Sequence, residues 1–152
     1  MPATMFNVVL VEPEIPPNTG NIGRLCLATG STLHLVKPLG FSIDDRTLKR
    51  AGLDYWKEVD VRLWDSFEQL RQTCGVEKRF FFLTTKSNRA YYDVRFLRGD
   101  FLVFGRETKG LPNRLLADHA EEVLTIPMQG TRSLNLATAV GIVLFEAMRQ
   151  QR

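Results

Sequence analysis

The chain has 152 residues, of which 44% are hydrophobic and 24% are charged, with a net charge of +3. This length is typical of one domain, and the composition excludes a disordered or a membrane-embedded protein. We therefore expect a single domain over residues 1–152. The two cysteines are too few for a disulfide framework, and no other potential metal ligands are clustered with them. We therefore predict two reduced core thiols and no metal site.

The amino-terminal sequence, MPATMFNVVLVEPE, carries prolines and acids where a signal peptide needs an uninterrupted apolar run. No stretch of the chain approaches the roughly 18 apolar residues of a membrane span. We expect a cytoplasmic protein with no membrane partner.

Short apolar runs alternate with helical patterns along the chain. The first half predicts a strand at residues 6–11, a helix capped by Asn18 and closed by Gly30, a strand at 33–36, a short helix at 44–51 and a strand at 59–63. The second half predicts a helix at 66–73, strands at 79–85 and 100–105, a helix at 113–119, a strand at 122–127 and a helix at 135–150. Such alternation is typical of an α/β fold, with a mostly parallel sheet and helices on both faces.

The last predicted helix is unusually apolar. Between residues 134 and 148 every residue is apolar except Asn135, Thr138, Gly141 and Glu146. An ordinary surface helix keeps a polar face opposite its apolar stripe. This helix is therefore expected to be covered on two sides, by its own sheet and by a second copy of the chain.

Positive charge is unevenly spread. Residues 78–98 contain six basic residues and one acidic residue, and Arg46, Lys49 and Arg50 would share one helix face. Such patches suit a phosphate-rich partner, although solvated charge on exposed faces remains an alternative. The candidate RNA-binding side chains are Arg46, Lys49, Arg50, Lys86, Arg89 and Arg95.

Three segments near strand ends carry turn-forming and cap-forming residues: 12–24 (EPEIPPNTGNIGR), 104–111 (FGRETKGL) and 126–139 (IPMQGTRSLNLATA). Ligands of open α/β sheets collect at the carboxyl ends of strands, so these loops predict one glycine-rich, mainly neutral pocket. Ser133 or Asn135 is expected to cap the last helix. Glu107 is either a turn carboxylate that accepts backbone N–H groups or an active-site acceptor.

The expected pocket favours group transfer from a bound cofactor. It has no paired histidines, no metal-ligand cluster and no serine or cysteine beside a base, and His34 and His119 are expected to be structural. Neither a phosphate-binding GxxxxGK[ST] loop nor a GxGxxG pattern is present, which argues against a nucleotide-dependent oxidoreductase.

The motifs NxGNxGR, FGxExxGL and IPM…SLN, in this order, resemble those of the SPOUT RNA 2′-O-methyltransferases. The stretches EPEIPPNTGNIGRLC and PLGFSIDDRTLKRAGLDYW are similar to the branch that methylates the wobble nucleotide of leucine tRNAs. The resemblance extends from residue 8 to residue 149. It implies a deep trefoil knot in the carboxyl-terminal part, a homodimer, and S-adenosylmethionine bound by the knot loops at the subunit interface. It also implies the anticodon stem-loop of tRNA as the partner.

By the same resemblance, each motif assigns roles to residues of this sequence. The implied cofactor-binding residues are Leu83, Gly105, Ile126, Met128, Ser133 and Leu134. The implied catalytic residues are Asn18, Arg24, Glu107, Ser133 and Asn135. Arg106, Leu134 and Ala137 depart from the wobble branch, so methylation at another tRNA or rRNA site remains an alternative. A catalytically silent RNA-binding protein of the same fold is a second alternative.

Arg24 is the implied activator of the ribose hydroxyl. A guanidinium is effectively never deprotonated in proteins, so we expect Arg24 to stabilise the developing alkoxide and a neighbouring phosphate rather than to act as a base. Glu107 and Asn135 would then hold the arginine and the ribose in place. Four aromatic residues could stack on RNA bases or pack within the protein, namely Tyr55, Trp56, Tyr91 and Tyr92.

Overall fold

The computed structural model describes residues 4–43, 54–131 and 133–152. The short helix predicted at 44–51, with Arg46, Lys49 and Arg50, lies outside these described residues.

The strands are β1 (Asn7–Val11), β2 (Thr32–Val36), β3 (Val61–Trp64), β4 (Phe80–Leu83), β5 (Phe101–Phe104) and β6 (Val123–Leu124). All six are parallel and form one sheet in the order β3-β2-β1-β5-β4-β6. Their near-continuous apolar sequences suit a sheet buried on both faces. The predicted parallel sheet is confirmed.

Helices cover both faces of the sheet, as predicted. The α-helices are α1 (Pro16–Thr29), α2 (Phe67–Cys74), α3 (Asn113–Asp118) and α4 (Leu136–Gln150), and 3₁₀ helices span Asp54–Glu58, Tyr91–Asp93 and Ala120–Glu122. Helices α1 and α4 pack together over one face, in a core that includes Leu10 and Leu102. Helices α2 and α3 lie on the other face, against residues such as Val9 and Val103. The α/β fold class is confirmed.

The start of α1 corrects one prediction. The helix begins at Pro16 and its cap residue is Ile15, whose side chain makes no capping hydrogen bond. Pro16 and Pro17 fill the first two positions, where a missing N–H costs nothing. Asn18 is therefore not the cap but a buried residue of the first turn. Gly30 ends the helix in a left-handed conformation (φ 66°), as predicted.

Helix α4 turns one side to the core and another outward. Asn135 caps it, because its side-chain oxygen accepts a hydrogen bond from the Thr138 N–H at 3.2 Å. The buried side consists of Leu136, Val140, Val143, Leu144 and Ala147. Phe145 points away from the core and is 49% exposed. Within the described part of the chain, the helix is thus covered on its inner side, by the sheet and by α1, and its outer side is open.

The segment after β6 leads from an edge of the sheet back to the face where α4 meets α1. Such a return path is compatible with the trefoil knot, which stays a prediction. Among the described helices, none is long and apolar enough to cross a bilayer.

A buried polar network surrounds His34 on β2. The Trp64 indole N–H donates to His34 Nδ1 at 3.0 Å, and Nε2 lies 2.8 Å from the side-chain oxygen of Asn7. An indole can only donate, so Nδ1 must accept and Nε2 must carry the proton. Burial, with a smaller effect of the Arg62 charge, lowers the pKa of His34 to about 4. The neutral ring is therefore structural, as expected.

This network predicts a loss of stability in acid. The unfolded chain takes up the His34 proton below pH 6.5, whereas the folded chain resists it down to about pH 4. The free energy of unfolding should therefore fall between these values, by on the order of 3 kcal/mol. Urea unfolding measured across this range tests the prediction. His34→Gln should be less stable overall, but its free energy of unfolding should depend less steeply on pH over this range. An unchanged pH dependence in this variant would contradict the prediction.

Candidate active site

A cavity of about 300 Å³ lies at the carboxyl ends of β4 and β5, beside the segment that precedes α4. Apolar side chains, among them Leu83, Ile126 and Leu136, line one part of it, and the loop at 105–110 supplies its polar part. All six residues predicted to bind the cofactor line this cavity, namely Leu83, Gly105, Ile126, Met128, Ser133 and Leu134.

The glycine loop after β5 is folded back on itself. The Gly110 N–H donates to the carbonyl oxygen of Arg106 at 2.8 Å. A Cβ atom on Gly105 would overlap the backbone of Gly110 and Leu111. The requirement for glycine at 105 therefore comes from the loop's own backbone, and a side chain there would distort the loop before it met any ligand.

Two glutamates bind the loop after β1 to the loop after β5. The carboxylate of Glu107 accepts the backbone N–H groups of Glu14 at 2.8 Å and Ile15 at 2.9 Å. The carboxylate of Glu14 accepts the backbone N–H of Thr108 at 3.0 Å and its hydroxyl at 2.8 Å. These hydrogen bonds lower the pKa of Glu14, with the backbone bond as the largest cause. Each loop thus supplies a carboxylate to the backbone of the other.

Helix α1 needs no side-chain cap, because Pro16 and Pro17 have no N–H and the N–H groups of Asn18 and Thr19 both donate to the Ile15 carbonyl oxygen. The Glu107 carboxylate lies just before the first helical residue, at the amino end of α1, where negative charge is favourable. Of the two roles predicted for Glu107, the structure shows the one in which it accepts backbone N–H groups. These groups belong to the loop after β1 and not to its own turn. A local sequence pattern cannot show this, because 92 residues separate Glu107 from Ile15.

Asn18 connects Glu107 to the start of α4. Its amide nitrogen donates to Glu107 Oε2 at 3.3 Å, and its oxygen accepts from the Asn135 side-chain amide at 3.1 Å. Three of the predicted catalytic residues thus form one hydrogen-bonded chain. Ser133 is exposed and lines the cavity two residues before Asn135.

Arg24 lies apart from this chain. It is exposed on α1, with its guanidinium carbon 5.6 Å from the centre of the Tyr55 ring. The Tyr55 hydroxyl donates to the carbonyl oxygen of Gly20 at 2.9 Å, which fixes the ring, and burial raises the Tyr55 pKa. Within the described part of the chain, Arg24 makes no hydrogen bond to Asn18, Glu107, Ser133 or Asn135.

The basic segment at 78–98 does not form one patch. Lys86 follows β4, lines the cavity and donates to the side chain of Asn113 at 2.8 Å. Arg89 donates to the carbonyl oxygen of Glu121 at 3.0 Å. Arg79 precedes β4 and donates to the backbone of Arg95, which places Arg95 near the amino ends of the strands. The length of β4 therefore separates Arg95 from Lys86.

The predicted aromatic residues also differ in their surroundings. Tyr92 is 55% exposed, whereas Tyr91 packs partly buried against the core. The Trp56 ring lies so close to Gly23 that a Cβ there would be 2.7 Å from a ring carbon. Trp56 and Tyr55 thus pack against α1, and Tyr92 is the most exposed of the four aromatic residues.

Sequence reasoning missed the positions of Glu14, Arg106 and Lys109 at this site. Arg106 and Lys109 line the cavity together with Glu107. The available signal was two basic residues inside a glycine loop, RETKG. Among the described residues, no group of His, Cys, Asp and Glu is placed to hold a metal ion.

The family described as "SpoU rRNA Methylase family" matches residues 5–145. The tRNA (cytidine(34)-2′-O)-methyltransferase of Burkholderia ambifaria is 48% identical over 151 residues, which cover 96% of each chain. A solved structure described as giving structural insights into the 2-OH methylation of C/U34 on tRNA has a TM-score of 0.91 and 47% identity, covering 97% of each chain. An AdoMet-bound rRNA methyltransferase from Sinorhizobium meliloti has a TM-score of 0.83 and 27% identity, covering 97% of this chain and 57% of that one.

The match covers most of the chain, includes all three motifs, and agrees with structures of the same fold. This chain belongs to the SpoU rRNA methylase family, as its resemblance to the SPOUT methyltransferases predicted.

Proposed function

We propose that this protein transfers the methyl group of S-adenosylmethionine to the ribose 2′-hydroxyl of nucleotide 34, the wobble position, of a tRNA. The observation that carries the proposal is that the second and third motif loops line one cavity, while Asn18 of the first loop joins Glu107 to Asn135 beside it. The near-full-length similarity to a cytidine-34 methyltransferase supports the choice of nucleotide.

The cavity fits this cofactor. Its volume, about 300 Å³, lies at the lower end of the range usual for small-molecule sites. Leu83, Ile126 and Leu134 offer apolar surface to an adenine ring, and the exposed backbone of the glycine loop offers polar groups to the ends of the ligand. When bound, S-adenosylmethionine supplies a methyl group that is already activated for displacement.

The contacts of Glu107 indicate a positioning role. Both of its oxygens accept backbone N–H groups, and one also accepts the Asn18 amide. A carboxylate held in this way is poorly placed to take a proton from a ribose. We propose that Glu107, Asn18 and Asn135 set the relative positions of the motif loops, and that Ser133 contacts the ribose or the cofactor from the cavity wall.

Arg24 is proposed to stabilise the negative charge that develops on the attacking oxygen. Its exposed guanidinium rests on the fixed Tyr55 ring, which limits its freedom before the substrate binds. A preorganised cation of this kind lowers the energy of the transition state without itself losing a proton.

The outer face of α1 and α4 supports a homodimer. Leu27 on α1 is 38% exposed and Phe145 on α4 is 49% exposed, and the two helices pack side by side. Arg24 lies one turn before Leu27 and is also exposed. We propose that a second copy covers this outer face, which would bring Arg24 to the subunit interface.

The proposed partner is the anticodon stem-loop of leucine tRNAs in the cytoplasm, as the sequence resemblance implies. Lys86 at the cavity, Arg89 nearby and the exposed Tyr92 are the described side chains that could contact it. Arg95, near the amino ends of the strands, could contact only a more distant part of the tRNA.

Methylation of unmodified tRNA tests the proposed function and the role of Arg24 together. The wild-type protein should convert the ribose of nucleotide 34, mapped by resistance to alkaline cleavage. Arg24→Ala should bind S-adenosylmethionine nearly normally and lower kcat by on the order of 10²–10³. Arg24→Lys should recover part of the rate, because lysine keeps the charge but loses the planar fork.

Three outcomes would oppose these statements. Methylation at another tRNA or rRNA ribose would refute the choice of nucleotide 34. Cofactor binding without methylation of any RNA would favour a catalytically silent RNA-binding protein. A near-wild-type single-turnover rate in Arg24→Ala would remove its electrostatic role.

Two substitutions on α4 test the proposed dimer. Phe145→Asp places a charge on the outward face and should yield a folded monomer by sedimentation at micromolar concentration, since Phe145 is outside the core. Val143→Asp should instead unfold the chain, because Val143 is fully buried. A wild-type monomer, or a Phe145→Asp dimer of undiminished stability, would contradict the proposed interface.

A further inference from the structure

A second cavity, of about 220 Å³, adjoins the candidate cofactor cavity at the carboxyl end of β1. The two cavities share five lining residues: Lys86, Arg106, Lys109, Gly110 and Leu111. Any ligand in the second cavity would therefore lie directly beside the cofactor.

The second cavity is strongly basic. Its lining has three cations, Lys86, Arg106 and Lys109, and one carboxylate, Glu12. Glu12 lies 3.9 Å from the Arg106 guanidinium, and both side chains are about one-third exposed, so this pair is weak. Among the described residues, the Lys109 ammonium makes no hydrogen bond or ion pair. Glu14 adds a second carboxylate close to Arg106 and Lys109, so three cations face two carboxylates and positive charge remains in excess.

The backbone at Glu12 gives a second indication of a ligand site. Glu12 has a φ of 57°, a conformation that residues other than glycine rarely adopt. Such strained positions cluster at ligand sites, where the surrounding structure holds them. Here the strain occurs where β1 ends and the second cavity begins.

The chemistry of the substrate identifies an occupant. In RNA the 3′-phosphate is attached to the ribose carbon next to the one that bears the 2′-hydroxyl. An enzyme that brings this hydroxyl to a methyl donor must therefore also accommodate a phosphate a short distance away. A basic cavity that shares a wall with the methyl-donor site meets this requirement.

We propose that Arg106 and Lys109, together with Lys86, bind the phosphate on the 3′ side of the ribose that is methylated. This inference rests on the proposed function. Arg106 can present two N–H groups to the phosphate oxygens, and Lys109 adds a point charge. The three residues are positioning residues, because they hold the nucleotide without contacting the reacting atoms.

The sharpest test uses a tRNA with one uncharged methylphosphonate linkage on the 3′ side of nucleotide 34. In the wild type this linkage should weaken RNA binding roughly tenfold. In the double variant Arg106→Gln, Lys109→Gln it should make no further difference, because the interaction is already lost. The double variant should also lower the salt dependence of binding by about 0.7 in slope for each lost phosphate contact.

Arg62→Gln is the matched control. Arg62 is an exposed arginine on β3, pairs with Asp60 at 3.5 Å and lines neither cavity. It should leave RNA affinity, its salt dependence and the effect of the neutral linkage unchanged. The affinity of the double variant for S-adenosylmethionine should equal that of the wild type.

Two results would overturn the proposal. The neutral linkage could weaken binding to the double variant as much as to the wild type, which would place that phosphate elsewhere. Alternatively, the double variant could lose as much affinity for S-adenosylmethionine as it loses for RNA, which would assign the cations to the cofactor. If the wild type methylates a ribose other than that of nucleotide 34, the proposed nucleotide is wrong. The neutral linkage is then placed on the 3′ side of the ribose that is methylated, which still tests the phosphate site.

Discussion

The hydrogen bonds of Glu107 with the backbone at the start of α1 support the whole candidate site. The carboxylate accepts the N–H groups of the two residues that precede the helix, and it fixes the loop after β5 against the loop after β1. Glu14 repeats the arrangement in the opposite direction through Thr108. Because Asn18 then contacts both Glu107 and Asn135, the position of the third loop depends on the same contacts. Buried or partly buried charges with several N–H donors contribute strongly to such positioning.

Helix α1 combines two functions on opposite sides. Its inner side carries Asn18 toward the loop cluster and Ile22 and Cys26 into the core. Its outer side carries Arg24 and Leu27. In a short chain this arrangement lets one helix connect the cofactor site to the surface that we propose as the dimer interface. The exposed Phe145 on α4 extends the same surface.

Much of the fold and of the cavity could be predicted from sequence, because their signals are local. The apolar runs predicted the six strands, Ser66 and Gly30 marked helix ends, and the second and third motifs marked loops that line the cavity. Contacts between distant segments could not be predicted in this way. The carboxylate beside the start of α1 comes from a residue far along the chain, and the two prolines that begin the helix place Asn18 in its first turn rather than at the cap. Gly105 was correctly predicted to line the pocket, but the atoms that require a glycine there belong to its own loop, which the sequence did not show. The charged segment at 78–98 looked continuous, although β4 divides it.

The most direct test of this account is the affinity of Glu107→Gln for S-adenosylmethionine, measured by calorimetry. Glutamine has the shape of glutamate, but its amide nitrogen cannot accept, so one N–H of Glu14 or Ile15 would lose its partner. If Glu107 holds the loops that form the cavity, the affinity should fall roughly tenfold, together with the unfolding temperature. Glu122→Gln, at a half-exposed position outside both cavities, should leave the affinity unchanged. Unaltered cofactor affinity in Glu107→Gln with a lost methylation rate would contradict the account, because it would assign Glu107 to the chemical step instead.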